Sequence, residues 1–358
     1  MNTPTVETSR ERTIAAEAPK ETPPSEPWFS PAKIIVQGSL FLACLALLVW
    51  CLARVFAPKN RENLRRLLDA TPTQLAELLG LSCLVVLLSG AAFRQALMPV
   101  RKLPMLEVQS VNVIAGLLAL VPFKLSVVFR VVMHNRRDGL PVLTIGAWFA
   151  AVGAVMGSVL GPMMLVSLWR GKVDAVWFVT SLSGVAVCLA LLITVAMYFA
   201  TERGWARVQR IWAFVPMPGF VRRSTLLDRA HEGVRMLAHP GAVLTCAGLR
   251  LTDLAVQAAR FIVASAIVGE ALPADQAVLA GSTYFLIGAF APAGQLGARE
   301  AGTTGFMSQL FPSHDLDRIM TAVVAISAAE VVVLLAGSAI ALIVLRPDRM
   351  IRGKRRGT

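Results

Sequence analysis

The stretch FAPAGQLGARE, Phe290 to Glu300, lies late in the chain between two strongly apolar segments. It contains a proline, two glycines and an arginine beside a glutamate, residues that interrupt helices and carry charge. Unpaired charge and unbonded backbone are both costly in lipid, so such residues need a specific role between membrane helices. The stretch therefore predicts a broken membrane helix that lines a polar cavity.

The composition around this stretch is typical of a membrane protein. The 358 residues are 56% hydrophobic, with a mean hydropathy of +0.64, yet the formal net charge is +13. A soluble nucleic-acid-binding protein would also be basic, but it could not keep so much apolar sequence in solution. A polytopic membrane protein with basic loops explains both values, and we expect no nucleic-acid partner.

Six apolar stretches are long enough to cross a bilayer as helices, which takes about 20 residues. They are Ile34–Leu52, Leu75–Leu97, Val142–Leu168, Val176–Ala200, Ala242–Val268 and Ile319–Leu345. Two further stretches, Val108–Met133 and Ala277–Leu310, are interrupted by proline and charge, which predicts broken or re-entrant segments. The predicted fold is an all-α polytopic membrane protein with six full spans plus these two segments. Eight crossings are the alternative.

The two broken segments occupy similar places in two halves of the chain. Pro122 and Pro292 lie 170 positions apart, and at this offset Leu75–Leu97 aligns with Thr245–Ile267. Each half then contains a span, a broken segment with proline followed by charge, and a second span. The halves begin on opposite sides in the predicted topology. We therefore expect two inverted repeats, an arrangement common in secondary transporters.

The distribution of lysine and arginine sets the predicted orientation, because cytoplasmic loops are enriched in these residues. We expect residues 1–33 to be a disordered cytoplasmic tail, 34–346 the transmembrane domain with a cytoplasmic amphipathic segment at 201–240, and 347–358 a basic cytoplasmic tail. Both termini of this multi-pass protein are then cytoplasmic, in the inner or plasma membrane of the cell. The loop at 54–74 is discordant, since it places five basic residues outside: Arg54, Lys59, Arg61, Arg65 and Arg66.

Charged residues within the broken segments are the candidate site, because a charge at membrane depth usually meets a cavity or a partner. Arginine, lysine and the free N–H groups of a restarting helix all suit a phosphate. We expect Glu300 to hold Arg299 in place or to receive a cation. The predicted substrate-binding residues are Pro122, Lys124, Arg130, Pro292, Gly294, Gly297, Arg299 and Glu300.

Three further polar residues lie in the long spans. Arg250 and Asp253 are three residues apart on one helix face and can pair, either as a structural pair or as a substrate contact. Glu330, alone in the last span, is a candidate partner for any of the arginines. The five cysteines lack metal-ligand spacing and the four histidines are scattered, so we expect no metal, no cofactor and no catalytic residue.

The segment APAGQLGAREAG resembles the P-x-G-G-x-G-x-R-E signature of the lysylphosphatidylglycerol synthase transmembrane (flippase-like) family. The sequence from Asn112 to Pro141 resembles the first-half motif of the same family. The resemblance covers residues 34 to 346 and departs at Gln295, where the family usually has glycine. It implies a flippase-like domain that moves or accommodates a lipid. It also implies a functional core of Pro292, Gly294, Gly297, Arg299 and Glu300.

The expected function is binding and translocation of a phosphate-bearing lipid or lipid-linked intermediate, with anionic or phosphate-bearing membrane lipids as partners. Only RPDRMIRGKRRGT follows the last span, so we expect no synthase domain and no enzyme activity. One alternative is a non-transporting subunit of a lipid or envelope biosynthetic complex, with those enzymes as partners. The other is a membrane enzyme that acts on a lipid-linked substrate. The lipid, the direction, the energy source and the oligomeric state stay open.

Overall fold

A computed structural model of the chain describes residues 31–121, 124–214, 226–291 and 294–345. Within these ranges every regular element is helical, which confirms the all-α class. From Gln37 onwards the described residues belong to one compact unit, the polytopic domain. The tails predicted at 1–33 and 347–358 fall almost wholly outside the described residues.

Thirteen α-helices occupy the described ranges. They are α1 (Pro31–Val55), α2 (Arg61–Leu68), α3 (Pro72–Leu97), α4 (Met105–Ala119), α5 (Leu125–Arg136), α6 (Val142–Arg170), α7 (Ala175–Ala200), α8 (Glu202–Phe214), α9 (Leu226–Leu237), α10 (Pro240–Ile267), α11 (Ala274–Phe290), α12 (Ala298–Leu310) and α13 (Leu316–Leu345). Six of them, α1, α3, α6, α7, α10 and α13, are long and apolar enough to cross a membrane. They coincide with the six predicted stretches, so the multi-pass membrane class is confirmed.

The connection between α6 and α7 shows how the sequence fixes a helix boundary. Asp174 Oδ1 accepts the backbone N–H of Trp177 at 2.9 Å, which satisfies a donor that the start of α7 would otherwise leave free. Arg170 Nη2 also donates to Asp174, at 2.5 Å. The arginine and then the backbone hydrogen bond lower the pKa of Asp174 to about 2. The cap is therefore ionised across the neutral pH range.

The first broken segment folds back on itself as a helical hairpin of α4 and α5, named hairpin 1. Arg137 Nη2 donates to Glu107 Oε1 at 2.7 Å, and Arg130 Nη2 donates to Asn112 Oδ1 at 2.8 Å. Each bond joins residues at similar distances on either side of the break, as in antiparallel neighbours. At the break, Lys124 is in the left-handed region with φ 49°. The chain therefore reverses where the sequence predicts an interruption.

The second broken segment forms a similar hairpin of α11 and α12, named hairpin 2. A Cβ built on Gly288 would lie 2.8 Å from Arg299 Nε, and one on Gly302 would lie 2.6 Å from Ile287 Cδ1. These contacts again join residues placed symmetrically about the break. Because both segments fold back, the structure favours two re-entrant hairpins over the alternative of eight crossings.

The helix order α3–α4–α5–α6 of the first half recurs as α10–α11–α12–α13 in the second. Contacts recur too: α4 packs on α13, and its equivalent α11 packs on α6. The equivalent helices α3 and α10 lie side by side in opposite directions. Near the end of α3, Ala92 O accepts a hydrogen bond from Cys246 Sγ, near the start of α10, at 3.6 Å. Before the start of α3, Arg66 lies against Gly269, which follows the end of α10.

The discordant loop after α1 lies at the end of the domain where α13 begins. Arg54 Nε forms an ion pair with Asp317, and Lys59 Nζ lies 2.8 Å from Asp317 Oδ2. Arg66 Nε lies 3.1 Å from Glu62 Oε1 within α2. Acidic residues therefore balance part of the positive charge that conflicts with the predicted orientation. The side of the membrane on which this loop lies stays a prediction.

Gly297, the residue before α12, gives a direct test of the break. Its φ is 83°, and a Cβ there would lie 1.8 Å from the backbone oxygen of Cys44 in α1. We expect Gly297→Ala to destabilise the domain by more than the about 1–2 kcal/mol that left-handed backbone alone costs an L-residue. The measurement is the thermal unfolding midpoint of the detergent-purified protein.

Gly305→Ala is the matched control in the same helix. Gly305 has helical backbone, and no described atom lies within 4 Å of a Cβ built there. Alanine should raise stability slightly, because it favours a helix over glycine by about 1 kcal/mol. Equal unfolding midpoints for the two variants would contradict the close approach of α1 to Gly297.

Candidate functional site

A cavity of about 320 Å³ lies between the two hairpins and the long helices of both halves. Its apolar wall comes mainly from α3 and α6, whereas most of its polar groups come from the hairpins, α10 and α13. The polar cavity predicted beside the broken segments is therefore present. Its polar lining residues are Ser89, Asn112, Ser126, Arg130, Arg250, Asp253, Gln257, Gln295, Arg299 and Glu330.

Arg299, in the first turn of α12, is buried and bound by Glu330 of α13. Its Nη1 and Nη2 atoms each donate to Glu330 Oε1 at 3.1 Å. The guanidinium carbon also lies 4.0 Å from the ring centre of Tyr284 in α11. With a third hydrogen bond from Nη2 to Glu330 Oε2 at 3.3 Å, three charge-assisted hydrogen bonds and a cation–π contact hold the charge in place. Glu330, expected to pair with one of the arginines, therefore fastens hairpin 2 to α13.

The same carboxylate binds a second arginine, Arg260, that the sequence analysis did not single out. Arg260 is 0% exposed in α10. It donates through Nη2 to Glu330 Oε2 at 3.3 Å and through Nη1 to Gln257 Oε1 at 2.9 Å. The periodic spacing from Arg250 through Gln257 to Arg260, along one face of α10, was the available signal. One carboxylate thus serves two arginines.

The predicted pair of Arg250 and Asp253 is present. Arg250 Nη1 donates to Asp253 Oδ2 at 3.2 Å, and both residues are buried and line the cavity. Arg250 Nε and Asp253 Oδ1 have no hydrogen-bond partner within the described ranges. The two residues therefore pair with each other, but they also keep unbonded polar atoms, so the structural role and the substrate contact both stay predictions.

Arg130 of hairpin 1 differs because, among the described residues, it pairs with no carboxylate. Its Nη2 donates to the neutral amide of Asn112 at 2.8 Å, and its guanidinium carbon lies 4.4 Å from the ring centre of Phe93. Its Nε has no hydrogen-bond partner in the same set. Arg250, across the cavity, repels this positive charge. Arg130 therefore contributes a charge without a counter-ion from the described chain.

Glu300 has a different role from the one expected beside Arg299, whose hydrogen-bonded carboxylate is Glu330. The Glu300 carboxylate accepts the backbone N–H of Gly297 at 2.5 Å and the hydroxyl of Ser327. It is 1% exposed. The N-terminus of α12, predicted to offer free N–H groups to an anion, is thus capped by the chain's own carboxylate.

The two hairpins meet at their tips. Gln295 N donates to Ala119 O at 3.2 Å, and a Cβ on Gly294 would lie 3.3 Å from Leu120 O. Gly294 and Gly297 have φ of 133° and 83°, which favour glycine. Gln295 is not among the described residues with positive φ, so glutamine fits where the resembled signature usually has glycine.

The predicted substrate-binding residues are therefore only partly brought together. Arg130 and Arg299 line one cavity from the two hairpins. Lys124 is exposed at the start of α5 and is not one of the described lining residues. Pro122 and Pro292 lie outside the described residues. The roles of these last three residues stay predictions.

Glu330→Gln tests the ion-pair centre. The change leaves Arg260 and Arg299 buried without their shared counter-charge, which costs about 3–5 kcal/mol when a buried pair is broken. We expect a large fall in the thermal unfolding midpoint. Glu330→Gln combined with Arg299→Gln should cost less than the sum of the single changes, because contacting residues couple.

Glu107→Gln is the control for this centre. Its partner Arg137 is partly exposed, with side-chain exposures of 25% for the arginine and 33% for the glutamate. A pair of this kind contributes about 0–1 kcal/mol, so the unfolding midpoint should change little. Similar losses for Glu107→Gln and Glu330→Gln would contradict the central place of Glu330.

Comparison with known proteins places this arrangement in a family. No curated protein and no solved structure matches the chain. The family model described as the lysylphosphatidylglycerol synthase TM region matches residues 35–338. The match includes both hairpins and all the charged residues that line the cavity. The chain therefore belongs to the lysylphosphatidylglycerol synthase TM region family.

Proposed function

We propose that this chain binds a phosphate-bearing lipid or lipid-linked intermediate in the cavity between the hairpins and translocates it across the membrane. The observation that carries the proposal is the charge of the cavity wall. Three arginines, Arg130, Arg250 and Arg299, line it, against two carboxylates, Asp253 and Glu330, among the described residues. The excess of one positive charge favours an anionic guest.

The hydrogen-bond donors of the cavity wall that lack a partner also favour the binding of an anion. The Nε atoms of Arg130, Arg250 and Arg299 are buried and lack hydrogen-bond partners in the described part of the chain. Leaving a buried donor unbonded costs about 1–3 kcal/mol, so a guest would recover that free energy where side-chain rotation brought such a donor to its oxygen atoms. Guanidinium groups match the oxygen geometry of a phosphate, which is the charged group common to membrane phospholipids and lipid-linked intermediates.

The arrangement of the two halves supports movement of the guest as well as binding. The equivalent helices α3 and α10 are antiparallel, as the predicted inverted repeat requires. In transporters with inverted repeats, one half moves relative to the other around a site near the bilayer midplane. Arg130 and Arg299 come from equivalent hairpins, so such a motion would change the access to a headgroup held between them.

The contacts of the carboxylates favour this function over catalysis. Asp253 is bound to Arg250, Glu330 to Arg260 and Arg299, and Glu300 to its own helix terminus. We therefore propose a non-enzymatic role. We also propose a plasma- or inner-membrane location with cytoplasmic termini, based on the bias of lysine and arginine along the sequence.

Lipid retention is the first test of the binding step. Native mass spectrometry of the detergent-purified protein should show one phosphate-bearing lipid class retained by the wild type. Arg130→Gln removes one charged hydrogen-bond donor, worth about 1.5–3 kcal/mol, so retention should fall roughly 10- to 100-fold. Arg299→Ala should lose the same lipid class.

Arg170→Gln is the control for retention. Arg170 pairs with Asp174 between α6 and α7 and does not line the cavity. The Arg170→Gln change also removes one arginine charge. Unchanged lipid retention in this variant would show that the loss in Arg130→Gln comes from the cavity and not from the net charge of the protein. Identical lipids bound to the wild type and to Arg130→Gln would contradict the proposed site.

Translocation is tested in vesicles of phosphatidylethanolamine and phosphatidylglycerol that carry fluorescent phosphatidylglycerol. Addition of a membrane-impermeant quencher reports the fraction of the probe that reaches the outer leaflet. The wild-type protein should accelerate this exchange, and folded Arg130→Gln should do so much less. Selective lipid retention without exchange would instead favour the non-transporting subunit, and deletion of Arg203–His239 would then test its docking surface.

A further inference from the structure

A row of hydrogen-bonded oxygen atoms joins Glu330 of α13 to Glu300 of α12. Tyr284 Oη lies 3.3 Å from Glu330 Oε2 and 2.8 Å from Ser327 Oγ. Ser327 Oγ in turn donates to Glu300 Oε1. All four side chains are at least partly buried, and Tyr284 and Glu300 are 0% and 1% exposed. The row therefore runs from Glu330 through two hydroxyl groups to Glu300.

The row has three oxygen–oxygen contacts, but the hydroxyl groups of Tyr284 and Ser327 supply only two protons when both glutamates are ionised. Ser327 has a single hydroxyl proton, which it donates to Glu300, so only Tyr284 can donate in its contact with Ser327. Tyr284 also donates to Glu330, yet its hydroxyl has one proton for both contacts, so one contact lacks a proton of its own when both glutamates are ionised. The contact between Tyr284 and Glu330, at 3.3 Å, is longer than the 2.8 Å contact between the hydroxyls. A proton on Glu330 would complete the row.

The two ends of the row have different surroundings. Glu330 lines the cavity, whereas Glu300 is not one of the described lining residues and lies near Cys44 and Cys51 of α1. The row thus leads from the cavity towards α1, whose Cys44 lies close to Gly297 before α12. The other charged or titratable groups near Glu330 are Arg260 and Asp253 from α10, Arg299 from α12 and Tyr284 from α11.

We propose that Glu330 and Glu300 share one proton through Tyr284 and Ser327, and that this relay couples lipid movement to proton transfer. The coupling rests on the proposed lipid translocation, whereas the shared proton does not. Through this relay, lipid movement would draw energy from a proton gradient across the membrane. The binding site alone has no such energy source.

The transfer conserves every proton. A proton taken up from the cavity by Glu330 passes to Tyr284 Oη as the tyrosine proton passes to Ser327 Oγ and the serine proton passes to Glu300 Oε1. Glu330 returns to a carboxylate, Glu300 becomes a carboxylic acid, and each hydroxyl group keeps one proton. Transfer of this proton from Glu300 to a water molecule on the side of α12 away from the cavity would complete the step, and rotation of the two hydroxyl groups would reset the row.

The shared proton is tested first, without any lipid transport. Infrared spectra of the purified wild-type protein at neutral pH should contain the C=O stretching band of a buried carboxylic acid. Tyr284→Phe removes the hydroxyl but keeps the ring that contacts Arg299. It should shift this band, and Glu300→Gln combined with Glu330→Gln should remove it. Absence of the band in the wild type, or a band unaffected by Tyr284→Phe, would overturn the shared proton.

The coupling is tested with fluorescent phosphatidylglycerol in the vesicles described above, with and without a pH difference across the membrane. One pH unit, about tenfold in proton activity, should raise the wild-type rate in one direction of the gradient and lower it in the other. Tyr284→Phe and Ser327→Ala should both lose this response, and Ser327→Ala should keep the gradient-free exchange. Tyr198→Phe, the change of the only other tyrosine, is the control and should behave as wild type.

The possible failures are distinguishable. If the wild-type exchange rate does not change with the pH difference, the coupling is overturned and the proposed translocation stands. A full pH response in folded Tyr284→Phe would overturn the relay. If the wild type exchanges no lipid under either condition, the proposed translocation and its coupling both fail, and the infrared band alone decides whether the glutamates share a proton.

Discussion

The burial of several arginines among apolar helices is the constraint on which the rest of the structure depends. A guanidinium group at this depth needs a counter-charge or a polar partner. Glu330 supplies the counter-charge for Arg299 and Arg260 together, and so joins hairpin 2 and α10 to α13. The position of the cavity follows, because the helices that converge on this carboxylate also form its wall.

The neighbouring residues Arg299 and Glu300 make different contacts because they lie on a helix. Consecutive helical residues point in different directions, so their side chains do not face each other. Arg299 is directed to Glu330 beside the cavity, whereas Glu300 turns back to the Gly297 N–H and to Ser327. The glycine with φ 83° lets the chain pass close to α1 just before this helix. Arg299 and Glu300, which are adjacent in the sequence, therefore each make their own separate contacts.

Much of the fold could be predicted from the sequence, but less of the site. Hydropathy and interrupting residues predicted six spans and two broken or re-entrant segments, since both depend on local sequence. Tertiary partners do not depend on local sequence, and so the contacts of Arg260 and Tyr284 with Glu330 were not predicted. Lys124 was grouped with Arg130 because both are charged residues within one interrupted apolar segment. Six positions turn a helix by about 240° beyond one full revolution, so the two side chains could not share a face even within one helix.

The two proposals converge on Arg299 and Glu330. A phosphate that binds Arg299 competes with Glu330 for the same guanidinium group, whereas a proton on Glu330 weakens its hold on that group. Proton uptake by Glu330 would thus favour the anionic headgroup. By linkage, the headgroup would favour uptake of the proton to the same extent. A separate binding site and proton site would need a long-range connection between them, whereas here one shared ion pair is sufficient to couple the two events.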